Sequence, residues 1–163
     1  MEMSPYKFDH GSSLRQPEWV HVAPIFDVYR GKYRLANEDL NNPEKLEKAG
    51  QVYADMVKDV IEKVKINRVT KNFDDLIQAE QNGRKIAAFF TEALQSCGGQ
   101  ILPPPGYLKL VAEYIRSHGG LMVIDEVQTG FGRVGSKYWA HQLSGDGKSS
   151  SNHKKTYPDF IRC

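Results

Sequence analysis

The chain has 163 residues, 40% of them hydrophobic and 26% charged, with a formal net charge of +2. That is enough for one packed domain and gives no basis for general disorder. No apolar run approaches the roughly 20 residues of a membrane-spanning helix, and basic residues are mixed with acids except at Lys154 and Lys155, so neither a membrane nor a nucleic-acid partner is expected.

Two cysteines, Cys97 and Cys163, form no disulfide framework and no metal-ligand spacing, and both are read as free thiols of a reducing compartment. The five histidines, His10, His21, His118, His141 and His153, are not paired at ligand spacing, so no metal site is expected. The first residues show neither a secretory nor a transit signal, and the compartment stays open between mitochondrion and cytoplasm.

Residues 1–42 are rich in Pro, Gly, Asn and aromatics without sustained periodicity, which predicts loops with short strands around Trp19 to Ala23. Asn42 followed by Pro43 supplies a cap and a proline at the first helical position. Leu46, Ala49, Tyr53, Met56, Val57, Val60 and Val64 then recur at helical spacing, predicting an amphipathic helix over about 43–65. Polar and β-branched residues interrupt at 67–73, and a further helical turn or two is expected over 74–81, ending near Gly83.

The run Ile86-Ala87-Ala88-Phe89-Phe90 is too continuous for a half-exposed hairpin and predicts a strand covered on both faces, ending at Glu92. Pro103-Pro104-Pro105-Gly106 stops what precedes it. Leu108, Val111, Ala112 and Ile115 mark a second helix, which His118-Gly119-Gly120 closes. Leu121-Met122-Val123-Ile124-Asp125 reads as a core strand of a parallel sheet. Strand, helix and strand over 85–125 make a βαβ unit, which brings Glu92 and Asp125 to one sheet edge, the edge at which open α/β sheets bind ligands. Residues 144–157 hold no apolar anchor and are expected to form a mobile loop.

The strand runs directly into Glu126-Val127-Gln128-Thr129-Gly130-Phe131-Gly132-Arg133. On spacing alone Asp125 is as well read as a turn cap as a ligand-pairing carboxylate. A buried, unpartnered carboxylate is costly, which favours a paired role. This run resembles the pyridoxal-phosphate motif of the class III aminotransferase family. Ser4-Pro5-Tyr6-Lys7-Phe8, Trp19-Val20-His21-Val22-Ala23-Pro24, Tyr29-Arg30-Gly31, and the stretches 85–99 and 106–142 are similar to its phospho-lyase branch, the ethanolamine-phosphate and 5-phosphohydroxy-lysine phospho-lyases. About two-thirds of the chain shares the resemblance.

The resemblance implies an α/β fold: part of the large domain of a fold type I pyridoxal-phosphate enzyme, a mostly parallel sheet with flanking helices. It implies that Asp125 pairs with the cofactor's protonated pyridine nitrogen, that Val127 packs on the ring face and that Gln128 donates to the phenolic oxygen. Glu92 falls near the substrate, and Ala93-Leu94-Gln95-Ser96-Cys97-Gly98-Gly99 follows the lyase pattern. The bland alternatives are a core valine at 127, a turn amide at 128, a tight turn at the glycine pair, and ordinary ion pairs for Arg30 and Arg133.

In such enzymes a lysine holds the cofactor as a Schiff base and removes the substrate's α-proton, after which phosphate leaves from the β-carbon. By the family pattern that lysine lies about two residues beyond Cys163, and the glycine- and serine-rich phosphate cup falls ahead of the matching first residues. The chain is therefore expected to be a piece of a homodimeric enzyme acting on a small phosphorylated amine, and inactive by itself. An aminotransferase of the same class and a non-catalytic truncated interaction module remain the alternatives.

Overall fold

The computed structural model describes residues 3–4, 15–67, 86–143 and 160–162. The additional helical turns expected over 74–81 and the loop over 144–157 lie outside the described residues.

Helix α1 (Pro43–Asn67) starts where its cap dictates. The Asn42 side-chain oxygen accepts the N–H groups of Glu44 and Lys45 at 3.0 and 3.2 Å, satisfying two donors that a helix N-terminus leaves orphaned. Its inward stripe is Ala49, Tyr53, Ala54, Val57 and Ile61, all buried. The Tyr53 hydroxyl reaches out of that stripe into the preceding loop. It accepts the N–H of Tyr33 at 3.1 Å and donates to the carbonyl of Asp27 at 2.7 Å. Gly31 leaves room for this contact, since a Cβ there would sit 2.3 Å from the Tyr53 hydroxyl.

No strand forms at residues 19–23, contrary to expectation. Strand formation needs a ladder partner, and here Val20 is taken up locally: its N–H bonds the Pro17 carbonyl at 3.0 Å and its carbonyl accepts the Gln16 amide at 2.6 Å. The segment instead reaches the core through Phe26, whose ring centre lies 4.7 Å from that of Tyr107.

Strand β1 (Ala88–Glu92), helix α2 (Tyr107–Ser117), strand β2 (Leu121–Asp125) and strand β3 (Phe160–Arg162) follow in chain order. All pairings are parallel, in the order β1-β2-β3, so β2 is central. Helix α2 ends in a Schellman arrangement: Gly119 sits at φ +75, its N–H bonds the Arg116 carbonyl, and the Gly120 N–H reaches back to the Ile115 carbonyl. That sharp reversal turns the chain straight into β2.

Side chains alternate along β2. Met122 and Ile124 point into the cluster that holds Leu108, Val111, Ala112 and Ile115 of α2 and the inward stripe of α1. Burying each contributes about 1.5–3 kcal/mol. The opposite face is different. Phe90 remains 51% exposed and Leu121 48% exposed, so β1 is not covered on both faces as its apolar run predicted. Both helices pack into the single cluster on one side; on the other, Val123 is buried while Phe90 and Leu121 stay open.

The tightest approach in this core is between α1 and the turn ahead of α2. A Cβ at Gly50 would stand 2.1 Å from the Pro105 carbonyl oxygen, so only a residue without one fits. Gly50→Ala is expected to destabilise the protein by about 1–3 kcal/mol through overpacking, read as a lowered urea midpoint, with the same substitution at exposed Lys48 as the near-neutral control.

Candidate functional site

Parallel strands in register end together. Glu92 and Asp125 are register partners at the carboxyl ends of β1 and β2, and the Ala93 N–H donates to the Asp125 carbonyl at 3.0 Å. By strand alternation both side chains leave the sheet on the face of Phe90 and Val123. The structure therefore brings the two predicted carboxylates to one edge and one face.

Their surroundings differ. Glu92 is half-buried and turned into its own loop, where one oxygen accepts both the backbone N–H and the hydroxyl of Ser96, each at 2.8 Å. Beyond it, Gln95 and Ile101 form a short antiparallel bridge that closes the turn carrying Cys97, Gly98 and Gly99. Gly99 has φ +124 and faces Arg30: a Cβ there would lie 2.5 Å from an Arg30 guanidinium nitrogen. The tight turn at this glycine is thus also where Arg30 approaches the backbone.

Asp125 is exposed, not buried as the preceding apolar run suggested. One of its oxygens accepts the Val127 N–H at 2.9 Å, which is the turn-capping bond. Among the described residues the other oxygen has no hydrogen-bond partner, so capping and pairing with a donor from outside do not compete. Val127 is 69% exposed and lies outside the core cluster, and the exposed Gln128 amide bonds to nothing among the described residues.

Arg30 takes the ordinary ion-pair role, whereas Arg133 bonds a backbone carbonyl. Arg30 pairs with Asp27 at 2.8 Å, and Arg133 donates to the Gly130 carbonyl at 2.9 Å beside the Phe131 ring. Burial pushes the Asp27 carboxyl up, but the N–H groups of Tyr29 and Arg30 and the Arg30 guanidinium together hold it below its usual range.

The buried carboxylate is one residue further on. Glu126 is 1% exposed. One of its oxygens accepts the Thr129 hydroxyl at 2.6 Å and the Ala140 N–H at 3.1 Å, and the other accepts the His141 N–H at 2.8 Å and faces His141 Nδ1 at 2.9 Å. Burial alone pushes this carboxyl up, yet the bonds from Thr129, His141 and Ala140 outweigh it and hold the group below the ordinary carboxylate range. Sequence reading missed it. The only local signal was Thr129 three residues on, at turn spacing.

An open carboxylate acceptor at the end of a central parallel strand, followed at once by an exposed apolar side chain and an exposed amide, is a set of groups suited to a flat, nitrogen-protonated ring. Residues 40–148 match the family described as Aminotransferase class-III. The chain belongs to the class III aminotransferase family. It is 57% identical over 147 residues to Ethanolamine-phosphate phospho-lyase homolog 1 of Caenorhabditis elegans, covering 90% of this chain and 28% of that protein. It is 44% identical over 142 residues to Alanine--glyoxylate aminotransferase 2-like of Drosophila melanogaster, covering 87% and 24%. A phospholyase from Arthrobacter solved in complex with phosphoethanolamine superposes with a TM-score of 0.50 at 25% identity, over 82% of this chain and 26% of that one. The class III family member described here thus spans about a quarter of the length of these relatives. Its sheet and helices are part of the pyridoxal-phosphate-dependent transferase fold, and pyridoxal phosphate is the family's cofactor.

Glu126→Gln replaces a fourfold acceptor with a group that presents N–H to buried donors, and is expected to cost about 3–5 kcal/mol at neutral pH. Because the folded carboxyl lies below the ordinary value, this contribution is complete above about pH 4.3 and disappears as pH falls through the depressed folded value. Urea unfolding of parent and variant should therefore differ fully at pH 7 and converge in strong acid.

Proposed function

We propose that these residues form part of the large domain of a pyridoxal-phosphate-dependent phospho-lyase acting on a small phosphorylated amine of the ethanolamine-phosphate class, as a homodimer. The observation that carries this reading is 57% identity across nine-tenths of the chain to a phospho-lyase homolog. The run 93–99, which follows the lyase pattern, lies in the loop directly after Glu92.

The residues present fit the cofactor. Asp125 would hold the protonated ring nitrogen through the oxygen that the Val127 N–H leaves free. The exposed Val127 side chain would lie against the ring face, and the Gln128 amide would donate to the phenolic oxygen. When bound, the cofactor supplies an electron-accepting ring for the charge left by the substrate's α-proton. Asp125 would favour that ring's cationic form, since a nearby anion stabilises a protonated nitrogen.

Glu92, tied to Ser96, sets the wall of the crevice on the substrate side and keeps its second oxygen for a polar group of the substrate. We assign the proton-transferring lysine to none of the lysines of this chain. The pairing of Arg162 with Ile124, one register step before Asp125, brings β3 to the same edge of the sheet, where that lysine would be needed.

The second reading, a transaminase of the same class, has the 44% identity to an aminotransferase-like relative in its favour. The two readings predict different products. The natural protein isolated from its source, incubated with phosphoethanolamine, is expected to release phosphate, acetaldehyde and ammonia without an added amino acceptor. Turnover that requires a keto acid and leaves the phosphate in place would establish the transaminase instead. In the full natural polypeptide, Asp125→Asn keeps the shape, removes the charge and is expected to lower turnover about a hundredfold or more.

A further inference from the structure

Four donors converge on one buried carboxylate next to the candidate site, and the proposed chemistry uses none of them. The Glu126 side chain collects the Thr129 hydroxyl, the backbone N–H groups of Ala140 and His141, and the His141 ring. Its carbonyl collects the N–H groups of Thr129 and Gly130, at 3.1 and 2.8 Å. Both ends of residues 126–130 are therefore fixed by one residue. The short helix Ala140–Leu143 is the fixed point on the other side, and Trp139 closes the gap, since a Cβ at Gly130 would lie 2.7 Å from its ring.

Asp125 and Val127 flank this residue. The bond that orients the Asp125 carboxylate comes from the Val127 N–H, and the direction of that N–H is set by the peptide plane that Glu126 begins. A turn free to rotate at residue 126 would carry the N–H away from Asp125 and let the carboxylate swing. Strand β2 cannot prevent this, because its ladder to β1 ends at Asp125 itself.

We propose that Glu126, Thr129 and His141 are positioning residues, whose buried cluster locks the turn so that the Asp125 carboxylate presents one fixed oxygen to the nitrogen of a protonated heteroaromatic ring. The ring's identity rests on the phospho-lyase reading above; the locking of Asp125 does not. His141 Nδ1 carries the proton in this arrangement, since it faces an ionised carboxylate oxygen.

The test uses the full natural polypeptide and two independent readouts. Thr129→Val is isosteric and deletes one donor; Thr129→Ser restores it. His141→Leu deletes the ring donor; His141→Asn returns an N–H near the Nδ1 position. Without cofactor, amide hydrogen exchange at Val127 is expected to accelerate at least about tenfold in Thr129→Val and His141→Leu while Met122 to Ile124 keep their protection, and to recover in the Ser and Asn variants. Unchanged exchange at Val127, or equal acceleration along β2, would overturn the proposal by making the cluster irrelevant or merely stabilising.

With pyridoxal phosphate labelled with nitrogen-15 in the ring, the ring-nitrogen chemical shift is expected to move toward its unprotonated value in the deletion variants and to return in the restored ones. If Val127 responds and the nitrogen shift does not, positioning toward the ring is wrong. If the parent takes up no cofactor while Val127 still responds, the cofactor reading has failed and the locking of Asp125 stands.

Discussion

In-register parallel pairing of β1 with β2 is the constraint on which the rest depends. Since Ala88 lies opposite Leu121, Glu92 must lie opposite Asp125, and two carboxylates from residues more than thirty positions apart meet at one edge. A slip of one residue would send one of them to the helix-covered face, where no water could solvate its charge. The register is held from below. Met122 and Ile124 are each wholly buried against α2, and the Schellman turn at Gly119 and Gly120 delivers β2 at a fixed point.

The elements that could be read from the sequence were those whose signals are local. Asn42 and Pro43 mark a cap that the structure builds with two hydrogen bonds. The proline run and the glycine pair bracket α2, and four apolar residues in a row announce β2. Signals that depend on distant partners were not legible. Trp19 to Ala23 are good strand formers, yet a strand is a relation between two segments, and composition does not reveal whether the second is there.

The same limit governed the site. Asp125 was read as buried because the four residues before it are apolar, whereas the end of a strand is where burial stops. Glu126 looked like an ordinary surface acid, and its burial depends on backbone donors 14 and 15 residues later, which no local spacing announces. The hydroxyl of Tyr53 is similar: helical spacing placed the ring inward, but only the folded loop at Asp27 and Tyr33 gives the oxygen its partners. Apolar pattern locates side chains on a face, and polar satisfaction is settled by what else arrives there.

The bond from Val127 N–H to Asp125 makes the two oxygens of that carboxylate inequivalent. A free carboxylate invites a guanidinium to bind both oxygens at once, the strongest and most common cationic embrace in proteins. With one oxygen already engaged at 2.9 Å, Asp125 has one fully open oxygen left for an incoming group. That favours a partner with one donor: a lone N–H meets an open oxygen, while a guanidinium that takes both oxygens has to share one of them with the Val127 N–H. An anion that stands in the open at the end of a strand is thereby harder to occupy by mistake.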